Sequence, residues 1–295
     1  MNVAIYSRRV NNNEINFYNN FFTKLQQLNW KPIIEEDFYE HLKDKIDVRD
    51  DYDTFNSFND LKTGVDLAIS IGGDGTFLET VRYVRSSGVP ILGINTGRLG
   101  FLADINVEDF EEVLDRVYKK DFELQKRSLI KVETAENIFG DNNYALNELA
   151  VHKKDTASMI TVEAYLDGVY LNSYWADGLL VGTSTGSTAY NLSCGGPIIT
   201  PGSGVHFLTP IAAHNLNVRP VIVPDDVPIT LKGVGRDKTF LLTLDSISKP
   251  VKSGTEITLY KSDFKINLIK LKENNFFKTI REKMLWGIDQ RNDSQ

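Results

Sequence analysis

The chain has 295 residues, 33 Lys+Arg against 40 Asp+Glu, a formal charge of −7 and 41% hydrophobic residues. At roughly 100–200 residues per domain this predicts two domains with full cores and excludes wholesale disorder. The acidic balance argues against a protein that coats nucleic acid or anionic membrane, because Lys and Arg drive such binding. The single cysteine, Cys194, excludes an intrachain disulfide and a Cys-rich zinc site.

No apolar run approaches the ~20 residues of a membrane span. The opening MNVAIYSRRV puts its arginines after a short apolar run, the reverse of a secretory signal. A soluble, cytoplasmic protein is the expectation.

Val3–Tyr6 reads as a short buried strand. From Glu14 to Trp30, apolar residues at Ile15, Phe17, Tyr18, Phe21, Phe22, Leu25 and Leu28 have the spacing of a helix with one wide apolar face. Lys31–Ile34 predicts a second strand and Asp37–Ile46 a second helix, with an Asp- and Asn-rich loop over 47–62. Val65–Ile71 is a near-continuous apolar run, as expected of a parallel strand covered on both faces. It leads into Gly72-Gly73-Asp74-Gly75-Thr76, then a helix over Phe77–Arg85, a strand over Pro90–Ile94 and a helix over Val107–Tyr118. Alternating strands and helices predict a parallel-sheet, Rossmann-like α/β domain.

Beyond Phe122 the signals are mostly period-2 strands: Ile130–Thr134, Met159–Leu166, Tyr170–Tyr174, Gly178–Val181, Pro220–Val223, Thr239–Leu244, Glu256–Tyr260 and Phe264–Leu271. Asp167-Gly168 marks a hairpin. A helix is expected over Ser187–Leu192 and a last one over Phe276–Trp286. The predicted architecture is therefore an α/β domain over 1–121, completed by a C-terminal helix within 272–295, and a mainly-β domain over 122–271.

Three motifs carry candidate chemistry. Gly72-Gly73-Asp74-Gly75-Thr76 joins a buried strand to a helix, where glycines let backbone N–H groups approach phosphate oxygens. A carboxylate there would repel phosphate, so Asp74 is better suited to accept a proton from an attacking hydroxyl or to help hold Mg²⁺. The competing reading is a tight turn with Asp74 as helix cap. The loop is neither Gly-x-x-x-x-Gly-Lys-Ser/Thr nor Gly-x-Gly-x-x-Gly, which excludes a P-loop and leaves out the conventional dinucleotide fingerprint.

The second motif crowds Thr183, Ser184, Thr185, Ser187 and Thr188 after a strand headed by Asp177. That makes either a neutral anion cradle or ordinary turn and cap material. It also matches the Gly-x-Ser-x-Gly nucleophile elbow, but no Asp or Glu lies between Ser184 and His214, so the order Ser, acid, His fails. The third is Asn147-Glu148 at a predicted strand end, an amide and a carboxylate able to read ribose hydroxyls or base edges, or else a surface pair. His41, His152, His206 and His214 show no zinc-helix spacing and default to structural roles. Asp225-Asp226 reads as a solvated turn, and Lys119-Lys120 and Lys153-Lys154 as solvated faces.

Taken in order, ISIGGDGTFL, INTGRLGFLAD, ALNEL, WADGLLVGTSTGSTAYNLSCGGPI and LTLDS closely resemble the bacterial NAD kinase family, from about Val65 to the C-terminal helix. The resemblance implies transfer of the terminal phosphate of ATP, or of polyphosphate, to the adenosine-ribose 2′-hydroxyl of NAD, with Mg²⁺ or another divalent metal carried in with the nucleotide. It implies Asp74 as catalytic base and Gly72, Gly73, Gly75 and Thr76 around the donor phosphates. It places Asp74, Gly75, Phe101, Asn147, Glu148, Asp177, Thr188, Ala189, Tyr190, Asn191, Ser193 and Ala212 against NAD, the last in a neighbouring subunit of a homodimer or homotetramer.

The chain departs from the family at Ile247, where a late Asp-x-Gln element often has Gln, and at Trp175, where some relatives carry a charge. A ribose hydroxyl is a poor nucleophile, so a base within hydrogen-bond reach suits the reaction. On this reading the site lies between the halves, and Asp74→Asn keeps NAD binding while losing turnover. Two alternatives remain: a lipid kinase of the diacylglycerol type, against which the −7 charge speaks, and a non-catalytic dinucleotide sensor, against which Asp74 speaks.

Overall fold

The computed structural model describes residues 1–49, 51–154, 159–235 and 238–284. The chain divides into two compact units, Met1–Lys126 with Ile266–Gln295, and Arg127–Lys265.

The first unit opens with β1 (Asn2–Tyr6), α1 (Ile15–Gln27), β2 (Lys31–Glu35) and α2 (Glu36–Lys43). The spacing of α1 buries Tyr18, Phe21, Phe22 and Leu25 on one face. Glu35 ends β2 and caps α2, its carboxylate accepting from the Phe38 N–H at 2.9 Å.

The stretch expected as a loop over 47–62 instead holds β3 (Asp53–Phe55) and α3 (Phe58–Leu61). Both are short and polar, and each buries a single apolar residue, Phe55 or Leu61. Too little periodicity is left to read, although Ser57 marks the helix start by donating to Asp60.

β4 (Leu67–Ile71), α4 (Asp74–Val84), β5 (Ile91–Asn95), β6 (Ile105–Asn106) and α5 (Phe110–Tyr118) follow. The longer strands pair in parallel in the order β3-β2-β1-β4-β5, with Ile5 opposite Ile69 and Ile69 opposite Leu92. Every residue of β4 is buried, Ser70 included, which explains a run that is apolar but for that one hydroxyl. The strand order reverses between β1 and β4, and open α/β sheets take ligands at the carboxyl ends of strands flanking such a reversal. Arg8 follows β1 and Gly72 follows β4 at that edge.

The second unit is mainly β. Its elements are β7 (Glu123–Thr134), β8 (Tyr144–Ala145), β9 (Glu148–Lys153), β10 (Ile160–Leu166), β11 (Val169–Ala176), β12 (Gly178–Thr183), α6 (Tyr190–Ser193), β13 (Val205–Ile211), β14 (Val221–Pro224), β15 (Ile229–Val234), β16 (Thr239–Leu244), β17 (Ile247–Lys252) and β18 (Glu256–Lys270). One antiparallel sheet runs β14-β13-β12-β9-β16-β17, while β11, β10, β15 and the start of β18 pair antiparallel in another. Val151, Leu179, Val181, Leu208 and Leu242 from the first share a core with Val162, Ala164, Leu231, Ile257 and Leu259 from the second.

The hairpin at Asp167-Gly168 has positive φ at both residues (48° and 76°), as a tight two-residue turn requires. Strands β9, β13, β15 and β17 were not among the expected elements, and the two strands expected over Glu256–Tyr260 and Phe264–Leu271 are one, because Ser262 and Asp263 continue the extended chain. The expected helix over Ser187–Leu192 is a 3-10 turn at Gly186–Thr188 followed by α6, interrupted where Ala189 leaves helical dihedrals.

The end of β18 pairs in parallel with β5, Leu268 opposite Ile91, and α7 (Phe276–Met284) completes the first unit. Leu285 and Trp286, expected in this helix, lie outside the described residues. Among the described residues no helix is long and apolar enough to cross a membrane.

Candidate functional site

In the first unit the site is built around Asp74. Gly72 has φ +145°, and a Cβ there would run into Thr76, so only glycine makes this bend out of β4. Gly73 caps α4 with no side-chain cap, leaving the helix start to backbone N–H groups, an anion-binding arrangement. Gly75 lies open toward Arg8, whose guanidinium would be 3.4 Å from a Cβ at that position. Arg8 is held by a two-point pair with Glu79, at 2.7 and 2.8 Å.

Asp74 is the first residue of α4, and its carboxylate accepts three backbone N–H groups: Phe101 at 2.9 Å on Oδ2, Leu102 at 3.0 Å and Ala103 at 3.1 Å on Oδ1. The Gly72–Thr76 motif and the INTGRLGFLAD block are separate in the sequence, and the structure joins them through this one side chain. A Cβ on Gly100 would overlap Asp74 Oδ1, which explains the glycine. On the solvent side, Lys283 of α7 brings its Nζ to 3.9 Å from Asp74 Oδ2 and 4.5 Å from the centre of the Phe101 ring. Phe276 also meets that ring, at 6.2 Å between centroids. No pattern in the sequence points to Lys283.

In the second unit Asn147 and Glu148 enter β9. They are buried rather than a surface pair, and they lie against the hydroxyl-rich turn. The Thr183 N–H donates to the Asn147 carbonyl at 2.8 Å, the Thr183 hydroxyl donates to the Leu146 carbonyl at 2.5 Å, and a Cβ on Gly186 would strike the Asn147 carbonyl. Asp245 holds the same peptide from the other side, accepting from Leu146 at 2.8 Å, Asn147 at 2.9 Å and Glu148 at 3.1 Å. Burial, with the Asp245 charge adding to it, pushes the Glu148 carboxyl up to about 8.

The hydroxyl cluster is mostly spent inside the protein. The single Ser187 hydroxyl proton lies between the Ser184 carbonyl at 2.8 Å and the Ile199 carbonyl at 3.1 Å, and its oxygen accepts from the Ile199 N–H. Asn191 is fully buried, donating to the Ser187 and Pro197 carbonyls and accepting from Thr209. Its side chain shapes the segment. Buried Ser184 presents no exposed nucleophile.

What the segment leaves outward is Thr188, Ala189, exposed Ser193 and the ring of Tyr190, which stacks on His152 at 5.6 Å. Asp177 pairs with Lys153 at 2.6 Å, so Lys153 is no free solvated charge. Exposed Ala212 has φ 46°, rare for a residue with a Cβ. Asp225, read as a solvated turn, is instead buried and paired with Lys261 of β18 at 2.7 Å. Arg127 is buried, with Nη1 3.4 Å from the Thr185 hydroxyl.

Among the described residues no group of three or more His, Cys, Asp or Glu could cage a metal ion. Asp74 has about one lone-pair position left after its three amide bonds.

Comparison with known proteins bears on both units. The family model for the ATP-NAD kinase N-terminal domain matches residues 4–122, and that for the ATP-NAD kinase C-terminal domain matches residues 146–271. An NAD kinase of Flavobacterium psychrophilum is 46% identical over 294 residues, covering 99% of this chain and 100% of the relative. One of Cytophaga hutchinsonii is 45% identical over 98% of this chain and 99% of its own. Yeast NADH kinase, solved with NADH, superimposes with a TM-score of 0.85 at 24% identity over 98% of this chain and 89% of that one, a likeness of fold. An NAD kinase of Archaeoglobus fulgidus, solved with ATP, gives a TM-score of 0.74 at 27% identity over 95% and 99%.

Proposed function

We propose that this chain, which belongs to the ATP-NAD kinase family, transfers the terminal phosphate of ATP to the adenosine-ribose 2′-hydroxyl of NAD, forming NADP. The observation that carries the reading is the Asp74 carboxylate at the start of α4, tied to the backbone of Phe101 in a glycine loop at the sheet's reversal point.

Phosphoryl transfer is mostly positioning and charge neutralisation, with one proton to remove from the attacking hydroxyl. The three amide bonds fix the carboxylate so that its remaining lone pair accepts that proton. The free N–H groups at the start of α4, with Gly72, Gly73, Gly75 and Thr76 around them, take the donor phosphates. Phe101 offers its ring to adenine. Asn147 and Glu148 read a ribose, Asp177 stands toward the nicotinamide end, and Thr188, Ala189, Tyr190, Asn191 and Ser193 form the segment that cradles the dinucleotide. Ala212 reaches a neighbouring subunit of a homo-oligomer. A divalent metal such as Mg²⁺ enters as part of the nucleotide substrate and screens its phosphates.

The test is NADP formation from NAD, Mg²⁺ and ATP, run beside polyphosphate and NADH. Product from ATP and NAD is expected, and no product under any pairing would overturn the reading. Asp74→Asn should lower turnover by about 100- to 10,000-fold, the range a positioned base contributes.

A further inference from the structure

Asp245 occupies a position that neither composition nor periodicity marks, yet its bonding mirrors that of Asp74. Its two carboxylate oxygens accept three consecutive backbone N–H groups, Leu146, Asn147 and Glu148. Its own N–H donates back to the Glu148 carbonyl at 3.0 Å. To reach this pose Asp245 adopts φ 49°, in the left-handed region that costs a residue with a Cβ. Thr183 braces the same peptide from the opposite side.

Glu148, the last residue so held, is 8% exposed, and its Oε2 is buried with no hydrogen-bond partner. A buried carboxylate with an unpaired oxygen beside a second carboxylate is costly, whereas a buried carboxylic acid is a donor waiting for an acceptor.

We propose that Asp245 is a positioning residue for dinucleotide binding: it fixes the Leu146–Glu148 peptide and sets Glu148 as a neutral hydrogen-bond donor to an acceptor atom of the dinucleotide. This rests on the NAD-binding reading of Asn147 and Glu148. A neutral Glu148 also avoids placing a second negative charge against an anionic ligand. Among the described residues, Asp245, the Tyr190 hydroxyl and the Cys194 thiol interact electrostatically with Glu148. Burial raises both Tyr190 and Cys194, so both stay neutral where Glu148 does.

The experiment is calorimetric NAD binding by the full chain between pH 6 and 9.5, with steady-state kinetics alongside. Affinity should be flat at low pH and fall about tenfold per unit above about pH 8. Glu148→Gln, which keeps a donor and cannot ionise, should flatten that limb. Asp245→Asn should move the limb to lower pH, because a charge that raises Glu148 is gone, and should raise the KM for NAD more than it lowers kcat.

If Asp245→Asn does not fold, the comparison of wild type with Glu148→Gln still decides. A wild-type profile without an alkaline limb, or a limb that survives in Glu148→Gln, would overturn the proposal. A chain that binds NAD with this limb but forms no NADP would sink the kinase reading and leave this one standing.

Discussion

Gly100 and Asp74 are fitted to each other: the carboxylate occupies the volume a Cβ on Gly100 would need, and a Cβ there would also sit 2.8 Å from the Ala103 carbonyl. Gly100→Ala should therefore push the Asp74 side chain off the Phe101–Ala103 amides. Misplacing a catalytic group by about 1 Å costs on the order of 100-fold in rate. The expected result is NADP formation down at least that far in a chain whose thermal unfolding is still cooperative. Near-native kinetics would show that the contact does not set the position of Asp74.

The same three amide bonds revise what Asp74→Asn should do to substrate binding. An amide oxygen in the Oδ1 position keeps the Leu102 and Ala103 bonds. The amide nitrogen in place of Oδ2 faces the Phe101 N–H, donor against donor. Phe101 should loosen, so NAD affinity should weaken several-fold in addition to the loss of turnover. Unchanged affinity by calorimetry would mean the loop holds without that bond.

Lys283 is the cation beside Asp74 and Phe101. Lys283→Met should lower kcat about tenfold, the ~1.4 kcal/mol of one charge interaction between side chains that are each about one third exposed. Lys283→Arg should retain most of the activity. Equal losses in both variants would point to packing of α7 rather than to charge.

Gly186→Ala tests the second unit in the same way. Its Cβ would strike the Asn147 carbonyl and displace the peptide that carries Asn147 and Glu148. NAD affinity should fall by about 10- to 100-fold, measured by calorimetry. Affinity equal to wild type would remove Asn147 from the binding site.

His206 gives the protein an acid-side stability limb. It is buried, neither ring nitrogen has a hydrogen-bond partner, and burial lowers its titration to about 4, with Asp225 opposing and Lys261 assisting. The unfolded chain takes up its proton near 6.5 while the folded chain resists until about 4. The unfolded state thus binds more protons across that window, and stability falls as pH drops through it, by roughly 3 kcal/mol in all. Denaturant midpoints measured from pH 7 to 4 should show the fall, and His206→Leu should flatten it.

The parallel half of the fold was largely legible because its buried strands are near-continuous apolar runs and its helices carry a wide apolar face, as β4 and α1 show. β3 and α3 were not, since a three-residue strand and a four-residue helix with one buried residue each leave no period to count. In the β half, β13 was hidden because His206 and Thr209 interrupt its apolar residues, and both are buried.

Local motifs named Asp74, Asn147 and Glu148. They could not disclose that Asn191 and Ser187 spend their polar atoms inside, nor that Asp245 and Lys283, far along the chain, complete the two clusters. Those facts depend on tertiary approach, which no local spacing records.

β18 has a consequence for how the molecule is made. The end of β18, which finishes the parallel sheet, and the helix that sets Lys283 beside Asp74 are both translated after the whole of the second unit. The first 126 residues therefore leave the ribosome as an unfinished sheet with Ile91 unpaired on its outer edge, and they cannot close until Leu268 arrives. A nascent or truncated chain that ends before residue 266 should thus expose an open sheet edge to chaperones and proteases. Phosphate transfer would then be withheld until the chain has been made through Lys283.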